Sequence, residues 1–294
     1  MRRPARLWRL APLPAMLLLS GCNGFSLINP AGPVGLTERN LIFLATILML
    51  IVVVPVIVLT IYFAWRYRST NTQAVYTPDW GFSRRIELGM WLIPCCIVAV
   101  LATVTWISAH DLDPYKPIDP AMKPVRIETV SMDWKWLFIY PDLHIATVNQ
   151  VVFPKGVPVA FDLTSNGVMN SFFIPQLGGQ IYTMAGMKTK LHLIASRVGS
   201  YNGLSANFSG GGFSGMHFKA LAMTPQDFRN WVQKVRKSGS KLDVDRYMAL
   251  SKPSKDVPVT YFSSVKPDLF HDILHQCFVG GSDDCLSADA SARR

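Results

Sequence analysis

The sequence lacks the residue patterns that mark several large classes of protein. Its five cysteines in 294 residues are too few for a disulfide-based scaffold. Its net charge is +10, but no stripe of lysine and arginine stands out, so nucleic acid is not an expected partner. It shows no Ser/His/Asp order, no phosphate-binding glycine loop and no close pair of carboxylates. These absences argue against an active site carried by this chain alone.

Hydrophobic residues make up 50% of the chain, and the mean hydropathy is +0.23. Such values predict membrane segments joined to a globular part. Two runs, Leu41–Trp65 and Ile86–Ala109, are long enough to span the membrane, because about 25 helical residues reach about 37 Å. Four arginines between the runs predict that this loop is cytoplasmic and that both chain ends lie outside: Arg66, Arg68, Arg84 and Arg85.

Residues 1–21 are typical of a bacterial lipoprotein signal peptide, with arginines followed by a short apolar run. The run ends in Leu-Ser-Gly-Cys, which predicts that lipid is attached to Cys22 and that the preceding residues are removed. The alternative is an ordinary signal peptide with a chance cysteine. Residues 23–37 are rich in Gly, Pro and Asn and predict a short exposed linker.

Polar residues in the second span need an interpretation. Glu87 lies one residue inside its cytoplasmic end, where a carboxylate is costly unless it is paired or hydrated. Pairing with Arg84 or Arg85 at the headgroup level is one interpretation. Cys95 and Cys96 point about 100° apart on a helix, so we interpret them as small packing residues rather than a metal pair.

From Val125 the pattern changes to short apolar stretches separated by Gly, Pro and Asn. Seven short strands over about 110 residues indicate a Greek-key sandwich. The predicted strands are Val125–Val130, Trp134–Tyr140, Ala146–Phe153, Val157–Leu163, Asn170–Ile174, Thr189–Ala195 and His217–Met223.

The C-terminal part predicts helices and an aromatic-rich arm. Thr224 is a good N-cap before Pro225, and one apolar face follows at helical spacing: Phe228, Trp231, Val232 and Val235. A weaker helical pattern covers Leu242–Leu250. The last residues, from 277, are predicted to be disordered. Cys277 and Cys285 either form a disulfide outside the membrane or stay free.

A glycine-rich frame between residues 199 and 222 carries few metal ligands. It consists of Gly-x-Tyr-x-Gly at 199–203 and SANFSGGGFSGMHFKALA at 205–222. An earlier segment reads Asn-Ser-Phe-Phe-Ile-Pro at 170–175, and another reads Met-Asp-Trp-Lys-Trp-Leu-Phe-Ile-Tyr-Pro at 132–141. In this order the motifs resemble subunit II of haem–copper terminal oxidases, and within these the cytochrome bo-type ubiquinol oxidases. The resemblance implies a cupredoxin-like sandwich.

The resemblance also locates the positions at which copper-containing relatives bind a binuclear copper centre. Their two Cys, two His and one Met ligands fall here at Ser205, Ser209, Asn170, Phe213 and Met216, and the residue that donates a backbone carbonyl falls at Asn207. Only Met216 keeps the ligand type. A mixed-valence copper pair needs thiolates and imidazoles, so we expect no metal in this chain.

The implied function is subunit II of a proton-pumping ubiquinol oxidase in the bacterial inner membrane, with the C-terminal domain in the periplasm. Haems and copper are expected in partner subunit I. Other oxidase subunits and membrane lipid are further expected partners, and ubiquinol is reached through the complex. Glu87 matches the position at which the family takes up protons into subunit I. The alternatives are a free electron carrier and a lipoprotein adaptor or assembly factor with a degenerate cupredoxin fold.

Two further pairs of residues resemble sites at first sight. If this region is a strand, the neighbours Met216 and His217 point to opposite faces, so they cannot share a metal; His192 also lies opposite the apolar face. Trp134 and Trp136 are expected in the core and at an interface.

The sequence divides into six expected parts. They are the signal peptide 1–21, the linker 22–40, the transmembrane hairpin 41–110, the cupredoxin-like domain 111–223, the arm 224–276 and the tail 277–294.

Overall fold

The computed structural model describes residues 26–75, 77, 79 and 81–278. Its α-helices are α1 (Pro33–Arg66), α2 (Arg84–Asp111), α3 (Pro225–Arg236), α4 (Val244–Ser251) and α5 (Leu269–Leu274). Its strands are β1 (Val125–Met132), β2 (Lys135–Tyr140), β3 (Ile145–Val148), β4 (Gln150–Pro154), β5 (Val159–Ser165), β6 (Asn170–Phe173), β7 (Ile181–Thr183), β8 (Thr189–Leu193), β9 (Gly199–Ser205), β10 (His217–Met223), β11 (Lys241–Leu242), β12 (Thr260–Phe262) and β13 (Ser264–Val265). The signal peptide, Cys22 and Cys285 lie outside the described residues.

The helices α1 and α2 form a compact unit over residues 37–116. Both are long and apolar enough to cross a membrane, and the side chains of their most apolar windows are not buried within the chain. Pro55 lies inside α1 and Pro94 lies inside α2, and proline is tolerated inside helices that span a membrane. Both predicted spans are confirmed as helices, and each helix extends beyond the predicted span.

Residues 29–32 form an N-terminal strap on the sandwich, and the prediction of an exposed linker here was wrong. The Ala31 amide donates to the Gln176 carbonyl at 2.6 Å, and the Ser196 amide donates to the Ala31 carbonyl at 2.7 Å. Pro30, Ala31 and Gly32 are buried, and α1 begins directly after them. Composition alone indicated a loop, whereas these small residues fit between two backbone segments that need hydrogen-bond partners.

We predict that Gly32→Ala destabilises the sandwich. A Cβ at Gly32 would lie 2.3 Å from the Ile194 carbonyl oxygen, so the strap or the backbone beside it must shift. Overpacking of this kind costs about 1–3 kcal/mol in the free energy of unfolding. Denaturant unfolding of the full chain in detergent, followed by tryptophan fluorescence, measures it. Gly167→Ala is the control, since a Cβ there meets open space; equal stability of the two variants would contradict the strap contact.

The sandwich consists of a six-stranded sheet, β12-β3-β2-β1-β5-β8, and a five-stranded sheet, β4-β10-β9-β6-β7. Its strands β1 and β5 pair in parallel, and β1 and β2 pair antiparallel. Aromatic rings fill the space between the sheets: Phe172 stacks on Phe218 with ring centroids 5.1 Å apart, and Trp136 meets Phe172 edge-on at 5.4 Å. The predicted two-layer β domain is thus confirmed, and Trp136 belongs to its core.

The single strand predicted over 146–153 is in fact two strands in different sheets. Asn149 separates β3 from β4 in a left-handed conformation with φ 56°. Its side-chain oxygen accepts from the Trp136 amide at 2.9 Å, and its side-chain amide donates to the Val257 carbonyl at 2.7 Å. The chain therefore crosses from one sheet to the other at Asn149, which the continuous apolar pattern did not reveal.

The strand β9 was also missed, because its glycines predicted a loop. Gly203 lies under the ring of Phe218 on β10, and a Cβ there would approach the ring to 2.1 Å. Glycine thus permits close packing inside a strand. The predicted strand from Trp134 begins instead at Lys135, since Trp134 has φ 63° and forms the β1–β2 turn.

The α3 helix of the arm packs against the main core, and the part of the arm after α3 packs on the outer face of the six-stranded sheet. The predicted helix cap at Thr224 is confirmed, since its hydroxyl accepts from the Asp227 amide at 3.2 Å. The second predicted helix begins later, at Val244, after an Asp243 cap. The strand β12 extends the sheet beside β3, and a second apolar cluster includes Leu137, Tyr247, Phe262 and Phe270. Cys277 is disulfide-bonded; because Cys285 is outside the described residues, their pairing stays a prediction.

Candidate functional site

The sandwich brings three of the predicted ligand positions to one end. Asn170 opens β6, Ser205 ends β9, and Met216 lies at the end of the connection from β9 to β10. The pairing of β6 with β9 aligns Phe172 with Ser205 and so places Asn170 near the end of β9. The glycine-rich segment and the Asn170 segment therefore lie close together, because neighbouring strands of one sheet carry them.

Asn170 and Ser205 form a buried neutral pair. The Ser205 hydroxyl donates to Asn170 Oδ1 at 3.0 Å and also lies 3.3 Å from the Asn207 carbonyl oxygen. The Asn170 amide donates to the Val168 carbonyl at 3.0 Å. The side chains are only 2% and 4% exposed, so the hydrogen bonds replace solvation that both groups lose. A neutral hydroxyl and amide that satisfy each other are poor ligands for copper.

The other half of the loop packs around Trp134. The indole Nε1 donates to the Ser209 carbonyl at 3.1 Å, and a Cβ on Gly212 would lie 2.2 Å from the indole ring. The Ser209 hydroxyl is buried and has no hydrogen-bond partner among the described residues. Phe213 contacts the exposed Phe208 ring edge-on, with centroids 5.6 Å apart. Aromatic packing thus occupies this side of the loop.

Met216, the position that keeps the ligand type, is 1% exposed and belongs to the main hydrophobic core. His217 is exposed, so the predicted alternation of these neighbours is confirmed. In the part of the chain that the structure describes, no three His, Cys, Asp or Glu side chains are grouped so that they could hold a metal. The chemistry available at the loop is hydrogen bonding and packing.

Sequence reasoning missed Lys135, a lysine with no exposed surface beside this loop. Its ammonium donates to the Asp133 carbonyl at 3.1 Å, the Lys252 carbonyl at 2.9 Å and the Ser254 hydroxyl at 2.6 Å. Burial lowers the pKa of Lys135, and the Asp133 charge opposes that shift. Lys135 thereby fixes the arm against the β1–β2 turn; in the sequence it looked like a polar residue between two tryptophans.

Glu87 lies in the first turn of α2 and is exposed. Its amide donates to the Ser83 carbonyl at 2.9 Å. Among the described residues its carboxylate has no ion pair, so the predicted alternative of a salt bridge to Arg84 or Arg85 is not formed within this chain. Cys95 and Cys96 are free thiols on the same helix. The structure thus leaves Glu87 open to a neighbouring protein or to water.

Comparison with known proteins identifies the family. The family model "Cytochrome C oxidase subunit II, periplasmic domain" matches residues 138–222, and "COX Aromatic Rich Motif" matches residues 236–281. The chain is 60% identical to the cytochrome bo(3) ubiquinol oxidase subunit 2 of Pseudomonas aeruginosa over 262 residues, which cover 89% of this chain and 79% of that relative. The chain belongs to the ubiquinol oxidase subunit 2 family. The chain is 55% identical to the cytochrome bo(3) ubiquinol oxidase subunit 2 of Pseudomonas putida, over 93% of this chain and 87% of that relative. The chain is 49% identical to the ubiquinol oxidase subunit 2 of Acetobacter aceti, over 92% of this chain and 88% of that relative.

Membership of the ubiquinol oxidase subunit 2 family confirms the resemblance drawn from the loop motifs. It also confirms the cupredoxin-like fold and the place of the chain in a haem–copper ubiquinol oxidase complex, an oxidoreductase bound to the membrane. The adaptor and electron-carrier alternatives are not supported. The roles of Glu87 and Cys22, and the lack of copper, stay predictions.

Proposed function

We propose that this ubiquinol oxidase subunit is a non-catalytic part of a proton-pumping complex. Its hairpin braces subunit I, and its sandwich covers subunit I on the periplasmic side. The haems, the copper and the quinol site belong to subunit I. The observation that supports this proposal is the buried Asn170–Ser205 hydrogen bond, which occupies the ligand positions with neutral groups.

The proposed topology follows from charge and hydropathy. Four arginines flank the connection between α1 and α2, and this charge bias supports a cytoplasmic location of that connection in a bacterial inner membrane. The sandwich and both chain ends then lie in the periplasm. This orientation puts Glu87 at the cytoplasmic end of α2, where it passes protons into subunit I.

Purification through an affinity tag on this chain tests the proposal. We expect haem and ubiquinol oxidase turnover to co-purify with the tagged chain, and reduced cytochrome c to transfer no electrons to it. Recovery of the chain without haem would favour an assembly factor. Electron transfer from cytochrome c to a copper centre in this chain would show that it is catalytic.

The lipid proposal gives a separate prediction. In Cys22→Ser the thiol that receives the lipid is absent, so the chain should keep its signal peptide and gain the corresponding mass. Loss of the lipid should not release the chain, since two apolar helices outweigh an acyl chain in membrane affinity. Mass spectrometry of the N-terminal peptide measures the retained signal peptide, and the fraction of the chain that sediments with the membranes measures its release. Cys95→Ser is the matched control, and an unmodified wild-type N-terminus at another residue would refute lipidation at Cys22.

A further inference from the structure

A cavity of about 370 Å³ lies where α5 and the residues before it meet the outer face of the six-stranded sheet. Part of its wall is apolar, with Ile139 from β2 and Leu269, Phe270 and Leu274 from the arm. Its polar lining contains six acidic, basic and histidine side chains: Glu128, His144, Lys188, Lys266, Asp268 and His271. The docking of the arm therefore encloses charge together with apolar surface.

Glu128 is a carboxylate in this cavity that has no ion pair among the described residues. It aligns with Asp162 on the neighbouring strand β5. Asp162 pairs with Lys188 at 3.0 Å and with Arg126 at 3.8 Å, so both nearby cations are already engaged. Among the described residues Glu128 forms no ion pair of its own. A carboxylate that is partly buried without a partner is favoured in its protonated form.

The remaining charges around Glu128 do not reverse this preference. Lys266 pairs with Asp272, and Asp268 adds a second negative charge on the arm. Burial raises the pKa of Glu128 to about 7, with a further increase from Asp162 and Asp268 and an opposing effect of Arg126 and Lys188. Since the pKa is raised in the docked state, docking is favoured at low pH and weakens as the pH rises through about 7.

We propose that Glu128 makes the docking of α5 on the sheet sensitive to pH, so that the arm is held by the protonated carboxyl and loosened when the carboxylate forms. This inference rests on the proposed periplasmic orientation, because a proton pump acidifies that side. The charged groups that face Glu128 come from each element around it: Arg126 from β1, Asp162 from β5, Lys188 before β8, His144 before β3, and Lys266, Asp268 and His271 from the arm. His144 and His271 are the two histidines among these groups.

Hydrogen exchange of the purified intact complex tests the proposal. Protection of peptides that contain residues 266–275 is measured from pH 6 to pH 8 and corrected for the intrinsic exchange rate. In the wild type we expect protection to fall by about tenfold over this range, if undocking restores the ordinary pKa of Glu128. In Glu128→Gln, which mimics the neutral acid, protection should not change over this range and should be at least as high as that of the wild type at pH 6.

The matched controls are chosen on the same domain. Asp245→Asn, an exposed carboxylate on α4, should keep the wild-type pH dependence. His144→Gln and His271→Gln should also keep it. The proposal is overturned if Glu128→Gln retains the wild-type slope, if it loses protection at every pH, or if a histidine variant abolishes the slope instead. Because exchange is read without oxidase turnover, failure of this inference leaves the proposed function intact, whereas failure of that function appears as loss of haem.

Discussion

The variant Asn170→His/Ser205→Cys/Ser209→Cys/Phe213→His is expected to bind copper that survives dialysis and to show an intense thiolate-to-copper absorption. The loop frame persists in this chain, since Trp134 still holds the Ser209 backbone. The substitutions replace a neutral hydrogen-bonded pair and an aromatic contact with two thiolates and two imidazoles, the ligands that copper prefers. Metal analysis and absorption spectra of the purified complex measure the change against the wild type.

The variant Asn170→His/Phe213→His is the matched control, because it adds imidazoles without thiolates. It should bind copper weakly and lack the thiolate absorption. The same absorption in the wild-type subunit would refute the proposal that this chain is free of copper. A fourfold variant that folds but binds no copper would show that the loop no longer holds the ligand geometry.

For Glu87→Gln we expect ubiquinol oxidase turnover to fall several-fold while haem content stays normal. Glutamine keeps the size and most of the hydrogen bonding of the side chain but cannot exchange a proton. The residue is exposed and unpaired within the described chain, so its loss should not disturb folding. Reduction of the active-site haem in subunit I should be slower, and stopped-flow spectroscopy measures that step.

Two further variants decide between proton uptake and an ion-pair role for Glu87. Glu87→Asp should retain part of the turnover, since it keeps a titratable carboxylate. Asp79→Asn removes an exposed carboxylate from the connection between the helices and should leave turnover unchanged. If Glu87→Gln instead lowered assembly with unchanged turnover per haem, Glu87 would be a structural partner of subunit I.

The local features of the chain were predictable because each depends on a short pattern. The apolar runs predicted α1 and α2, and Thr224 predicted the start of α3 through its cap. Alternation predicted the buried Met216 and the exposed His217. The loss of copper ligands could also be inferred from sequence, since a hydroxyl or a phenyl ring lacks the required donor in any fold.

The predictions that were wrong concern contacts between distant segments. Residues 30–32 looked like a linker, yet the Ala31 amide and carbonyl bond to Gln176 and Ser196 of the sandwich. Asn149 interrupts an apolar run, because its side chain bonds to Trp136 and to Val257 across the domain. In both cases the backbone conformation is set by hydrogen-bond partners far away in sequence, which no local pattern records.

The sequence by itself determined the two long apolar helices, the two-sheet domain and the family of this subunit, because hydropathy, alternation and ligand type are properties of single residues and their spacing. Only the tertiary structure decided that the arm covers the outer face of the sheet, that Lys135 is buried against it, and that Glu128 is enclosed beside an Asp162 already paired with two cations. The physical reason is that burial and pairing depend on which surfaces meet. Burial, the largest cause of the raised pKa of Glu128, follows from that meeting, and Arg126 two residues away in the chain opposes it.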